Sequence, residues 1–343
     1  MRIMLVSDAW KPQVNGVVRT LSTVVDTLER RGHTVKTVTP DQFRTLPCPS
    51  YPEIRLAVNP FGGVRRAFDS FAPEAVHIAT EGPLGFTARR YCCRRAIPFT
   101  TSFHTKFPEY LHSRIRLPIA WGYAWIRRFH AKAARVMVAT ATIEQELHDR
   151  GFTNLARWTR GVDTELFRPR PATDIPEALR GLSRPLQIYV GRVAIEKNIE
   201  AFLESASEGT KVVVGDGPQR ESLMRDYPGA VFAGAKYDDE LARYYAAADV
   251  FVFPSRTDTF GLVLLEALAC GTPVAAYPVP GPIDVVGDSP AGCLGDDLTK
   301  ATAQALTIDR SLCRQHALGF SWDRCADLFM SHLEPVTPPP AMA

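Results

Sequence analysis

The chain has no run of about 18 uncharged apolar residues, so no membrane-crossing helix is expected. It has no C-x-x-C pair, and its seven cysteines are odd in number, with only Cys92 and Cys93 adjacent. Neither structural zinc nor a disulfide framework is expected, and the thiols read as small core residues. The opening "MRIMLVSDAWKP" lacks a small-residue cleavage site, and Asp8 cuts its apolar run short. It reads as a strand starting at residue 2 rather than a secretory leader. No G-x-G-x-x-G with a later acid follows a strand in either half, which argues against a dinucleotide-dependent oxidoreductase.

What is present is an ordinary apolar content of 45% and 343 residues, enough for two cores. The net charge of +3 hides an asymmetry. Residues 1–165 hold 24 Lys+Arg against 14 Asp+Glu, and residues 166–343 hold 16 against 23. Two domains with different partners fit that split.

Short apolar runs alternate with helical periodicity. "RIMLVSD", "HTVKTVTP", "AVHIAT", "IPFTTSF" and "RVMVAT" read as strands, with "NGVVRTLSTVVDTLERRG" a helix between an Asn start and a Gly stop. Residues 166–185 are rich in proline and charge and read as a linker. The pattern then restarts with "LQIYVGRV", "KVVVGDGP", "AVFAGA", "DVFVFPS" and "TPVAAYP" as strands. The expected architecture is α/β, with two Rossmann-like doubly wound domains at 1–165 and 186–314. An amphipathic helix within 315–333 is expected to cross back to the first domain, and 334–343 reads as a disordered tail.

Ligands of doubly wound sheets sit at the carboxyl ends of strands. In the second domain those ends carry Gly191, Arg192 and Lys197; Gly215, Asp216 and Gly217; Gly234; and "PSRTDTFGLVLLEALACGTPV". The last places Ser255, Asp258, Thr259, Phe260, Gly261 and Leu262 at a helix mouth and Glu266 inside the helix. A helix N-terminus suits phosphate oxygens, and Arg192 and Lys197 can neutralise a diphosphate. Glu266 can accept ribose hydroxyls, and Asp258 hydroxyls of an attached sugar. Taken singly, these residues are a solvated turn, an N-cap and a surface helix carboxylate. Their order along successive strand ends favours the nucleotide-sugar reading.

The set "GRVAIEKN", "GDGP", "PSRTDTFGLVLLEALACGTPV" and "RGVDTELFRP" resembles the retaining glycosyltransferases of family 4, which have the GT-B fold of two such domains facing a cleft. The match runs from residue 3 to about 330. The family's paired-glutamate motif has Asp258 in its first position, one methylene shorter, and Glu266 in its second. The resemblance implies that Gly16, beside Asn15 at a helix start, lets backbone approach the diphosphate. It implies that His104, in "FHTKFPEY", meets the donor sugar. Arg160, before "GVD", is placed near the interdomain cleft, and Glu81, at a strand end, is assigned with Asn15 and Arg160 to the acceptor. Thr140 ends a later strand.

No D-x-D pair stands at a strand end, and Asp238, Asp239 and Glu240 read as helix N-terminal charges. The leaving diphosphate is expected to be stabilised by Arg192, Lys197 and the helix mouth, with no metal and no cofactor beyond the nucleotide-sugar substrate. Retention and front-face attack follow from the resemblance.

Between Arg89 and Arg135 stand 11 Lys+Arg and one acid, Glu109. Arg114, Arg116, Trp121, Trp125, Arg127 and Arg128 suggest contact with an anionic bilayer surface, and hence a lipid acceptor and a peripheral place on the inner face of the cytoplasmic membrane. A helix with its tryptophans packed inside is the plainer reading. Nucleic acid ranks below both, because no motif for it accompanies the basic segment. The expected reaction moves a hexose or hexuronic acid from a UDP-sugar to diacylglycerol or a related lipid. A GDP-mannose-dependent α-mannosyltransferase and a non-catalytic nucleotide-sugar or membrane-binding protein stand as alternatives.

Overall fold

The computed structural model describes residues 1–13, 15–48, 51–109, 112 and 116–336. The chain divides into two compact units, one of Met1–Thr159 with the residues from Trp322 onward, the other of Arg160–Ser321.

The first unit is built on a parallel sheet of β1 (Arg2–Val6), β2 (Thr34–Val38), β5 (Ala75–Ile78), β6 (Thr100–Phe103), β7 (Val136–Val138) and β8 (Leu155–Arg157). The order is β2-β1-β5-β6-β7-β8. β1 is apolar on both sides because both sheet faces are covered. Ile3 and Leu5 enter a layer with Leu21, Val24 and Phe329. Met4 and Val6 enter the opposite layer with Val64, Phe68 and Leu84. Asn15 starts the helix Gly16–Arg30 by accepting the amides of Val17 and Val18 at 3.1 and 3.0 Å. An antiparallel hairpin of β3 (Thr45–Cys48) and β4 (Tyr51–Ala57) stands apart from the sheet.

The helix Trp322–His332 belongs to this first unit. Cys325 and Phe329 are fully buried, and the Cys325 carbonyl accepts Trp158 Nε1 at 3.0 Å. Arg31 adds bonds to Asp323 and Asp327 at 2.8 and 2.6 Å, exposed pairs worth little beside the buried aromatic. Beyond it, the Val336 amide bonds the Glu74 carbonyl at 2.8 Å, so residues 334–336 have a place on the unit. The rest of the tail lies outside the described residues.

The second unit repeats the architecture with β9 (Leu186–Val190), β10 (Thr210–Val214), β11 (Val231–Gly234), β12 (Val250–Phe253), β13 (Val274–Ala276) and β14 (Gly292–Leu294). They pair in parallel in the order β11-β10-β9-β12-β13-β14. The proline-rich segment 166–185 is fastened to this unit. Arg170 reaches Asp239 at 2.6 Å, Arg243 reaches Asp174 at 2.6 Å, and Arg314 reaches the Phe167 carbonyl at 2.7 Å. Cys92, Cys270, Cys313 and Cys325 are buried core thiols as expected, whereas Cys93 is exposed and Cys48 and Cys293 are half-buried.

Phe329→Ala should destabilise the first unit by about 3–5 kcal/mol, because the ring leaves a cavity under the sheet. Urea unfolding followed by tryptophan fluorescence checks this. A loss below about 1 kcal/mol, the range of surface substitutions, would contradict the packing described.

Candidate active site

In the second unit the chain runs from β9 outward through β10 to β11, then returns to the other side of β9 as β12. β9 and β12 therefore flank a topological switch point, where diverging loops leave room for a ligand.

Backbone approach shapes these loops. The Gly191 amide donates to the Val214 carbonyl at 3.0 Å, and the Val193 amide to the Asp216 carbonyl at 2.9 Å. A Cβ on Gly215 would lie 1.8 Å from the Gly191 carbonyl oxygen, and one on Gly217 2.4 Å from that of Val193. Both also hold positive φ, 144° and 155°, so only glycine fits. The turns after β9 and β10 are clasped main chain to main chain.

The turn Ile195–Lys197 ends at Asn198, whose φ is 54°. Asn198 Nδ2 donates to the Pro254 carbonyl at 3.1 Å, and Thr257 Oγ1 to that of Glu196 at 3.3 Å. These ties bring Lys197 Nζ to 2.6 Å from Asp258 Oδ1, with each side chain 19% exposed. The two residues assigned to diphosphate and sugar thus stand as an ion pair across the switch point. Asp258 Oδ2 and Ser255 Oγ are buried with no hydrogen-bond partner among the described residues. Such orphans cost about 1–3 kcal/mol each, and ligand hydroxyls would satisfy them.

Gly261, with φ 81°, is the N-cap of the helix Leu262–Ala269 and makes no side-chain cap bond to its first amides. Thr259, Phe260 and Leu262 surround this mouth. Glu266 is 3% exposed, and its Oε2 accepts the Tyr245 hydroxyl at 3.0 Å. Arg192 is half-buried beside Gly191, and its carbonyl accepts the Tyr189 hydroxyl at 2.9 Å. Burial pushes that phenol well above its ordinary range, so it stays a donor. Asp238, Asp239 and Glu240 do open a helix, Asp238–Ala247. Among the described residues no group of three His, Cys, Asp or Glu is placed to hold a metal ion.

In the first unit the switch point lies between β1 and β5. Asp8, at the end of β1, is 5% exposed. Its carboxylate accepts the amides of Leu84 and Gly85 at 2.8 and 3.1 Å and the Thr80 hydroxyl at 2.9 Å. It thereby pins the loop that carries Glu81 to β1. Burial raises its pKa from an ordinary 3.8 to about 6, against the three hydrogen bonds that pull it down. In the sequence this role is marked by nothing more than an acid directly after the first strand. Glu81 Oε1 lies 3.1 Å from Nε2 of the buried His130, whose Nδ1 lies 2.8 Å from Thr101 Oγ1. His104, half-buried after β6, has Nε2 2.8 Å from Ser102 Oγ. Gly16 is the first residue of the helix that Asn15 caps, and Thr140 caps the helix Ala141–Asp149. Arg160, the first residue of the second unit, is 3% exposed.

The helix Ile119–His130 buries Tyr123, Ile126 and Phe129 and leaves Trp121 70% and Trp125 46% exposed. Its tryptophans are not packed inside. Trp125 rests on Phe86 with ring centroids 5.0 Å apart. Phe86 also lines a cavity of about 810 Å³ with Phe61, Arg89, Arg90 and Arg94. Arg116 and Arg128 are exposed, and Arg127 reaches the Arg150 carbonyl at 2.9 Å. Arg114 and Tyr110 lie outside the described residues. Among the described residues no helix is long and apolar enough to cross a membrane.

Comparison with known proteins decides the family. Residues 14–166 match the family described as glycosyltransferase family 4, and residues 184–308 that described as glycosyl transferases group 1. A GDP-mannose-dependent alpha-mannosyltransferase of Mycobacterium tuberculosis is 31% identical over 98% of this chain and 97% of its own length. The chain belongs to glycosyltransferase family 4. It is an enzyme of the transferase class, as the strand-end motifs implied. The sulfoquinovosyl transferase SQD2 of Arabidopsis thaliana is 33% identical over 74% of this chain and 52% of its own length. The alpha-monoglucosyldiacylglycerol synthase of Streptococcus pneumoniae is 29% identical over 89% and 78%. Among solved structures, sucrose-phosphate synthase of Thermosynechococcus elongatus superposes with a TM-score of 0.74 at 22% identity, covering 96% of this chain and 97% of that one. The Anabaena protein HepE, solved with UDP and glucose, does so with 0.71 at 15%, covering 96% and 98%. The fold of this glycosyltransferase is GT-B, as expected.

Between pH 3.8 and about 6, Asp8 binds more proton in the folded chain than in the unfolded one. Its stabilising contribution is therefore present at low pH and lost as pH rises through about 6. The stability of the wild type relative to Asp8→Asn should fall by about 2–3 kcal/mol between pH 4 and 7 and be flat above. Urea titrations at each pH check it; a constant difference over that range would overturn the assignment.

Proposed function

We propose that this glycosyltransferase moves a hexose from a nucleotide sugar to a lipid acceptor with retention of configuration and without a metal ion. The observation that carries the reading is the switch point of the second unit. A lysine, a carboxylate with one unsatisfied oxygen, an open helix mouth and glycine turns converge there. Arg192, Lys197 and the amides following Gly261 stabilise the leaving diphosphate, and Asp258 accepts a sugar hydroxyl through Oδ2. Glu266, held by Tyr245, is assigned to the ribose. His104 accepts a hydrogen bond from the transferred sugar, and Gly16, Asn15, Glu81 and Arg160 serve diphosphate and acceptor.

In the step itself the bond from the anomeric carbon to the phosphate oxygen breaks and the bond to the acceptor oxygen forms on the same face. The acceptor's proton passes to the departing phosphate oxygen. No side chain is needed as a nucleophile.

GDP-mannose is the favoured donor. Relatives named as GDP-mannose-dependent mannosyltransferases align over 86–98% of the chain, at 29–32% identity. A UDP-sugar donor with diacylglycerol as acceptor is the second reading, favoured by the likeness to the monoglucosyldiacylglycerol synthase. A lipid acceptor is supported by the exposed Trp121 and Trp125 and by the arginine-lined cavity whose Phe86 touches Trp125. Both suit peripheral contact with an anionic bilayer. Such contact would place the enzyme on the inner face of the cytoplasmic membrane.

Lys197→Ala and Arg192→Ala should each lower turnover of the folded enzyme by about a hundredfold or more, since they act on the leaving group; Lys197→Ala should also lower stability, because it leaves Asp258 unpaired. Near-normal turnover of either would contradict the assignment. GDP should raise the melting temperature more than UDP at equal concentration. The reverse order would favour the second reading, and no shift with either would oppose both. Trp121→Ala with Trp125→Ala should weaken binding to phosphatidylglycerol vesicles while leaving GDP binding intact; unchanged vesicle binding would remove the membrane contact.

A further inference from the structure

One string of buried polar groups in the first unit ends on His104. Strand alternation points Thr100 and Ser102 of β6 to one face, where His77 of β5 meets both. His77 is fully buried, with Nδ1 2.9 Å from Thr100 Oγ1 and Nε2 3.1 Å from Ser102 Oγ. Its ring is wedged against Phe329 at 4.9 Å and Trp158 at 5.9 Å between centroids. Trp158 also stands edge-on to His104 at 5.9 Å. Ser102 Oγ is shared three ways, with His77 Nε2, with His104 Nε2 at 2.8 Å and with the Ala79 carbonyl at 3.3 Å.

A hydroxyl has one proton to give and two lone pairs to accept with. A carbonyl cannot donate. With neutral rings, all three contacts are hydrogen bonds in one arrangement only: the Ser102 proton lies on the Ala79 carbonyl, and both imidazoles donate through Nε2–H. His77 then accepts the Thr100 hydroxyl at Nδ1, the shorter of that hydroxyl's options at 2.9 Å against 3.4 Å to the Val76 carbonyl.

We infer that Ser102, backed by His77, is a positioning residue that holds His104 as its Nε2–H tautomer, with the accepting lone pair on Nδ1. Resting on the reading of His104 as a sugar-contacting residue, this deepens it. An imidazole without such a bond divides between two tautomers, and the wrong one presents an N–H where an acceptor is required. Phe329, on the helix that returns to this unit, acts as a wedge behind His77. The C-terminal helix thus bears on the ring of an active-site residue through two buried side chains.

Long-range proton–nitrogen NMR of the histidine rings in the full-length protein reads the tautomer directly. The wild type should show His104 protonated at Nε2 alone. In Ser102→Ala the two ring nitrogens should move toward averaged shifts, and kcat should fall roughly tenfold, the loss of one hydrogen bond to the ring, with donor KM little changed. Ser102→Thr, which keeps the hydroxyl, should restore the wild-type shifts. A wild-type spectrum with Nδ1–H overturns the inference even where a variant fails to fold, as does an unchanged tautomer in a folded Ser102→Ala. His104→Ala judges the underlying reading separately. Wild-type transfer by that variant would end the role of His104 in the reaction, whereas the spectrum still reports whether Ser102 sets its proton.

Discussion

At the carboxyl ends of β9 and β10, main chain lies against main chain so closely that no side chain can enter. The Gly191 carbonyl occupies the place a Cβ on Gly215 would need, and the Val193 carbonyl that of one on Gly217. One consequence follows from this contact: the loop after β9 is held so that Lys197 extends toward β12 instead of into solvent. There it meets Asp258, and the charges offset one another. The unsatisfied Asp258 Oδ2 and Ser255 Oγ are the residual cost, and a sugar nucleotide is the kind of ligand that would remove it.

The same strand topology is put to different use in the first unit. There the switch point is filled by Asp8, which takes three hydrogen bonds from the Thr80–Gly85 loop and fixes it to β1. Buried imidazoles, His77 and His130, then line the ends of β5 and β6 and bond to Thr100, Ser102, Thr101 and Glu81. One unit closes its strand-end turns with glycine. The other is tightened by buried polar side chains that fix the orientation of the residues following them.

The strands were legible because each is a short apolar run bounded by turn residues, and both faces of a covered parallel sheet demand such runs. The strand-end motifs were legible for a related reason, since glycines that nothing can replace leave a fixed spacing. Other features were not local enough to read. Lys197 and Asp258 are 61 positions apart, and their pairing depends on Asn198 and Thr257 tying two loops together. Glu266 reads as a helix carboxylate open to a ribose, and only the packing of Tyr245 against it shows its burial. Prolines in "RTLPCPSYPEI" disguised the β3–β4 hairpin, whose pairing stands apart from the sheet. The segment 166–185 has the composition of a free linker, yet Arg170, Asp174 and Phe167 bind it to the second unit through partners far along the chain.

Amide hydrogen exchange with and without GDP tests the central claim most directly, because it reads how firmly the clasped strand-end turns are held when a ligand occupies the switch point. Protection on nucleotide binding should concentrate in residues 191–198, 215–217 and 255–263. Protection absent from these segments, while GDP binds measurably, would contradict the account.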